Sequence, residues 1–210
     1  SALERFGSNP QACIYLTLLA ADIASNARAL YDAWSPTGDN YLRELTAAGE
    51  GSLVYSEVDL AFGEVINRLG FTAENMRESK VAKPGGFSAP TPDYTLLESH
   101  ISGRSLQDME DNLVGIASVY NGDYFNGTGS GVKGLIADNQ KSIDDKMQEA
   151  LESVRIALGS FDGPLKDALD THPTKLRDLY NVLKELQKTI QVELSQHLAV
   201  TIKFNDNDGD

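Results

Sequence analysis

The densest run of reactive side chains is Glu98-Ser99-His100-Ile101-Ser102-Gly103-Arg104-Ser105, an acid, three hydroxyls, an imidazole and a guanidinium within eight residues. It ends where a helical pattern begins, so an anion or a metal-bound ligand could be held there by the hydroxyls and by the free N–H groups of a helix start. Ordinary loop-to-helix capping explains the same residues, with Ser105 as the cap and Asp108 answering three positions on. Within the run Glu98 has the widest chemistry. A carboxylate at the mouth of a helix can act as ligand or base, whereas the serines can only cap.

Four other patterns carry residue types capable of chemistry. Gly129-Ser130-Gly131-Val132-Lys133-Gly134 spells G-x-G-x-x-G, but a dinucleotide cradle needs a preceding strand in a βαβ unit, and here a helix and the turn-like Asn121-Gly122-Asp123 come first. A flexible helix–helix connection is the better reading. Asp206, Asp208 and Gly209 mimic positions three, five and six of a calcium loop, yet position one would be Phe204 and no glutamate stands at position twelve. An EF-hand is excluded, while Asp206 and Asp208 could hold a cation weakly or form a solvated acidic tail. Glu193 and His197, four apart, could co-ligate a metal from one helix face or simply form a surface ion pair. Cys13 lies in the apolar run Ala12-Cys13-Ile14-Tyr15-Leu16, where a buried inert thiol is expected. No Gly-x-Ser-x-Gly elbow and no His-Glu-x-x-His pair is present, so neither nucleophilic hydrolysis nor a catalytic zinc site is written in these residues.

The elements that must position these residues are helical. Ile14, Leu18, Ala21, Ala24, Ala27, Leu30 and Trp34 recur at steps of three and four, which predicts a helix over 10–34. The same spacing predicts helices over 52–70, with Gly70 as the stop, and over 105–120, 142–158 and 173–198. A short helix is expected behind Gly163-Pro164, within 161–170. Residues 80–104 hold Pro84, Gly85, Gly86, Pro90 and Pro92 without sustained periodicity and are expected to form a long connection. Only Val200-Thr201-Ile202-Lys203-Phe204 alternates like a strand. The fold class expected is all-α, a helical bundle with no sheet beyond a terminal strand or hairpin.

Composition narrows the partners. The 210 residues include 31 acidic and 18 basic side chains, a net charge of −13, so phosphate backbones and anionic membranes are repelled and nucleic acid is not an expected partner. No run approaches the roughly 20 apolar residues of a membrane-spanning helix.

Three blocks taken together resemble the imelysin-like proteins of bacteria, above all those of the Bacteroidetes type. They are Lys83-Pro84 through Glu98-Ser99-His100-Ile101-Ser102-Gly103-Arg104-Ser105-Leu106-Gln107-Asp108 to Asn112-Leu113, then Gly115-Ile116-Ala117-Ser118-Val119-Tyr120-Asn121-Gly122, and finally Val200 to Asp210 with its Phe204-Asn205 and Asp208-Gly209-Asp210. The resemblance implies the second part of a two-bundle fold, spanning 1–210. It also implies an exported protein of the periplasm or outer membrane, often lipid-anchored, with a role in iron or haem uptake. Activity as a ligand- or metal-binding accessory is the first expectation, a metallopeptidase the second and a structural interaction module the third. The family's Gly-x-His-x-x-Glu signature belongs to the half preceding the matched blocks, and no such motif stands in these residues. The resemblance therefore implies that this chain is a fragment or one product of a nicked precursor. Its N-terminal half is then the partner, apolar surface is expected where that half packs, and a lipid anchor would lie outside these residues. Glu98, Ser102 and Asn112 match the family's pattern and are implied to line the second wall of a pocket between bundles. A divalent metal or iron is the cofactor this reading allows, with Asp206 or Asp208 nearby.

Overall fold

The computed structural model describes residues 6–124, 127–136 and 141–202. Helix α1 spans Pro10–Trp34, α2 Tyr41–Thr46 and α3 Val58–Asn75, the last running on as a π-helical segment, Met76–Ala82. After a single 3₁₀ turn at Tyr94–Leu96 come α4 (Ser105–Asn121), α5 (Lys141–Gly159), α6 (Leu165–Thr171) and α7 (Pro173–Lys188). A second π-helical segment, Thr189–Leu194, continues α7 into the short α8, Ser195–His197. Sheet among the described residues is one antiparallel hairpin, β1 (Asp123–Tyr124) against β2 (Gly127–Thr128), in register Asp123 opposite Thr128. The all-α expectation therefore holds.

The chain divides into two compact units, residues 1–62 and 63–210. In the first, α1 starts at Asn9, whose side chain caps Gln11 N at 3.0 Å and Ala12 N at 3.4 Å, with Pro10 in the first turn where its missing N–H costs nothing. The unit's small core is Ala48, Tyr55 and Ala61 with Tyr41 and Leu45 packed against it. Glu44 knots the turn after α2, accepting from Ser52 Oγ and Leu53 N at 2.6 Å each and from Val54 N at 3.1 Å. The Ser52 hydrogen bond and these backbone donors hold the Glu44 carboxyl below its ordinary value. Cys13 and the α1 stripe, expected to be buried, are exposed. Ala12 to Leu16 are apolar because α1 is apolar on several sides, not because this unit's core takes them.

The second unit holds the main core. Met109, Leu113, Ile116 and Tyr120 of α4, Met147, Leu151, Val154 and Leu158 of α5, and Leu176, Leu179, Leu183 and Leu186 of α7 are its buried side chains, α5 packing on both α4 and α7. These are the positions that the three-four spacing marks.

Five expectations need correction. The second helix begins at Val58, not residue 52, and passes through Gly70 without stopping. Gly70 is there for close packing: a Cβ would lie 2.7 Å from Cγ of Gln191. Lys80 to Ala82 belong to the π-segment, so the connection starts at Lys83, and Lys83 N–H already bonds five residues back to Glu78 O at 2.9 Å. The stretch Gly127 to Gly134 is ordered by backbone contact with the end of α4. Gly131, at φ 58°, has no room for a Cβ, which would sit 2.3 Å from Gly122 N. These glycines let backbones touch, so the G-x-G-x-x-G spelling needs no nucleotide. The short helix starts at Leu165, behind Pro164, and does not take in Phe161. Val200 to Ile202 form no strand, and the rest of that expected tail lies outside the described residues.

Candidate functional site around Lys80

Leu97 is 3 % exposed and pins the start of the reactive octapeptide into the second unit. From there each polar side chain finds a partner. Ser99 Oγ donates to the Asp108 carboxylate, Ser102 Oγ reaches Ser99 O at 3.5 Å, and His100 Nδ1 lies 3.3 Å from Leu97 O. Arg104 is committed to its own helix, to Asp108 at 3.4 Å and Asp111 at 3.3 Å. Arg104, not Ser105, occupies the cap position of α4, and Ser105 is its first helical residue, buried, with Oγ accepting Ser99 N–H at 3.4 Å. Ser99, Ser102 and Arg104 thus build the turn into α4, and Ser102 is not drawn to Glu98 or Asn112.

Glu98 and Asn112 do meet, through a residue the sequence reading missed. Lys80 Nζ stands 2.6 Å from Glu98 Oε2 and donates to Asn112 Oδ1 at 2.6 Å. The Lys80 side chain is 11 % exposed and that of Glu98 54 %, so a nearly buried ammonium is tied to a carboxylate that opens to solvent. Proline and glycine just after Lys80 hid it in an apparent loop, whereas the π-segment turns it inward. One turn earlier Arg77 is handled alike. It donates to Gln187 Oε1 at 2.7 Å and to Tyr180 Oη at 2.8 Å, and it pairs with Glu78 at 2.7 Å. Arg177 stacks 3.7 Å over the Phe87 ring, clamping the start of the connection onto α7.

A second polar cluster sits at the other end of α4. Asp144, largely buried, accepts from Tyr120 Oη at 3.1 Å and Gln148 Nε2 at 3.2 Å and pairs with Lys133 at 3.0 Å. Burial raises its carboxyl, but the hydrogen bonds from Lys133, Gln148 and Tyr120 together outweigh that and leave it below the ordinary value. Burial, with Asp144 beside it, pushes the Tyr120 phenol up. This cluster joins α4 to α5.

Metal ligation gains nothing from the geometry. Among the described residues no group of three or more His, Cys, Asp or Glu side chains is placed to hold an ion. Glu193 of the second π-segment pairs with Lys146 of α5, a partner that neither reading of the Glu193 and His197 spacing named. Asp206 and Asp208 lie outside the described residues. No described helix is long and apolar enough to cross a membrane.

The model of the imelysin family matches residues 2–190. This chain belongs to the imelysin family. A curated relative, iron-regulated protein A of Synechococcus elongatus, is 24% identical over 158 residues, covering 74% of this chain and 43% of that protein. The crystal structure of an imelysin peptidase from Bacteroides ovatus superposes with a TM-score of 0.75 at 20% identity, covering 86% of this chain and 52% of that one. The chain spans about half the length of the relatives it matches. The structural likeness carries the imelysin fold.

Proposed function

We propose that this imelysin-family chain belongs to an exported protein of the cell envelope that binds an iron-bearing ligand, ionic iron or haem, as an accessory to iron uptake. The observation that carries the reading is kinship with a protein named for its regulation by iron. The site geometry supports binding over turnover. Lys80, Glu98 and Asn112 form a charge-neutral hydrogen-bonded set, an arrangement suited to holding a polar ligand group. Glu98 and Asn112 serve as one wall of the ligand site, with further donors coming from residues beyond those described. An anchoring lipid, if the protein carries one, is likewise outside them.

The second reading is a metallopeptidase, favoured by the printed description of the Bacteroides ovatus structure. The two separate in one pair of assays on the complete gene product. Saturable binding of ferric iron or hemin, with no cleavage of a peptide library, is expected. Peptide cleavage abolished by a chelator, with no iron or hemin binding, would replace the accessory reading by the enzymatic one.

A further inference from the structure

The ammonium of Lys80, on the first π-segment, has three N–H donors, of which Glu98 Oε2 and Asn112 Oδ1 take two. Among the described residues Glu98 is its only carboxylate partner. The other acids close to it in sequence or on α4 are taken by arginines: Glu78 pairs with Arg77, and Asp108 and Asp111 pair with Arg104. Glu98 holds Lys80 through one oxygen, from a half-exposed position, and its Oε1 meets no other described residue. Asn112 is also half used. With Oδ1 turned to Lys80, the Nδ2 of the same carboxamide has no acceptor among the described residues.

An ammonium donor and an amide donor held together, carrying one positive charge, match the two oxygens of a carboxylate. Charge balance makes that match selective. A bare cation drawn to Glu98 has to break the pair and leave a nearly buried ammonium without a counter-charge, which is strongly unfavourable. A ligand that brings its own carboxylate avoids this. Its carboxylate replaces Glu98 on Lys80, accepts from Asn112 Nδ2 as well, and frees the Glu98 charge to face a positive centre in the ligand. A phosphate group fits less well, because its second negative charge would stand against the displaced Glu98.

We propose that Lys80 and Asn112 form a carboxylate receptor, occupied by Glu98 until a ligand carboxylate replaces it, and that the ligand is a carboxylate compound rather than a bare cation. The proposal rests on the reading of Lys80, Glu98 and Asn112 as part of the ligand site. Such a carboxylate has two sources, the acid side chains of a haem or an open-chain chelator of ferric iron, and the test separates them.

Binding to the complete gene product is measured with two pairs that share their iron and differ in carboxylates: hemin against hemin dimethyl ester, and ferric citrate against ferric acetohydroxamate. In one pair the carboxylate member is expected to bind at least about tenfold more tightly, and that pair names the source. Lys80→Met is expected to remove the difference, and Lys80→Arg to keep part of it. Glu98→Gln is expected to act with opposite signs. Iron-free citrate or protoporphyrin should bind the variant more tightly than wild type, because the competing charge is gone, while the iron-bearing form binds more weakly. A variant that had merely lost structure would weaken both. Equal binding within both pairs overturns the proposal and leaves the iron-binding reading standing, and a preference that survives Lys80→Met does the same. An iron-free carboxylate that binds as tightly as its ferric form, with the ester or hydroxamate refused, upholds the receptor and overturns the iron-binding reading. Failure of all these compounds to bind overturns the receptor.

Discussion

Lys80 is the residue on which the candidate site turns, because its ammonium touches both Glu98 and Asn112. A nearly buried ammonium with a half-exposed partner makes a coupled pair worth about 1 kcal/mol, more than a fully exposed pair and less than a sealed one. A double-mutant cycle of Lys80→Met and Glu98→Gln should therefore show non-additivity of about that size in urea denaturation. Additive effects would mean that the contact is incidental. The Asp144 cluster yields a pH prediction. Its folded-state carboxyl lies below the unfolded one, so the stability it adds is present above the unfolded pKa of about 3.9 and is lost as pH falls through the folded value. Asp144→Asn should remove that part of the acid-induced loss, seen as a flatter Tm against pH below about pH 4. The family pattern picks out Glu98 and Asn112, which the structure joins through Lys80, but not Lys80 itself, because two glycines and a proline just downstream mask a helical residue as a loop residue. Ser102 matched the pattern equally well and turned out to brace the turn into α4.

At the scale of elements, spacing alone located α1, α4 and α5 to within a residue or so, and the run from Pro173 to His197 as one element where the structure has α7, a π-segment and α8. The departures are local backbone events that leave no periodic trace. Two π-helical segments, Met76–Ala82 and Thr189–Leu194, shift the facing of every side chain that follows, and Gly70 reads as a stop when it is a place where Gln191 lies across α3. Gly70→Ala tests that role. An exposed helical glycine gains up to about 1 kcal/mol on becoming alanine. Here the new methyl meets Gln191, which is hydrogen-bonded to Gln187 at 2.8 Å, and overpacking of this kind costs about 1–3 kcal/mol. Net destabilisation is expected, by a few degrees in Tm, and a rise in Tm would show that Gln191 moves aside freely. For α1 the helix was legible but its exposure was not, because periodicity reports which face is apolar and not whether anything covers it.

For the molecule as a whole, imelysin family membership and kinship with a protein named for its regulation by iron are what support the proposed ligand-holding role. A surface of net charge −13 attracts cations without discriminating among them, so specificity has to come from a particular site. The most direct test is hemin and ferric iron binding by the complete gene product, as wild type and as Glu98→Gln. Glutamine keeps the shape and an acceptor for Lys80 while removing the charge. The account predicts an affinity at least tenfold weaker, about 1.4 kcal/mol, with a Tm lowered by no more than a few degrees. Unchanged affinity together with a large fall in Tm would contradict it and leave Glu98 as a structural partner of Lys80.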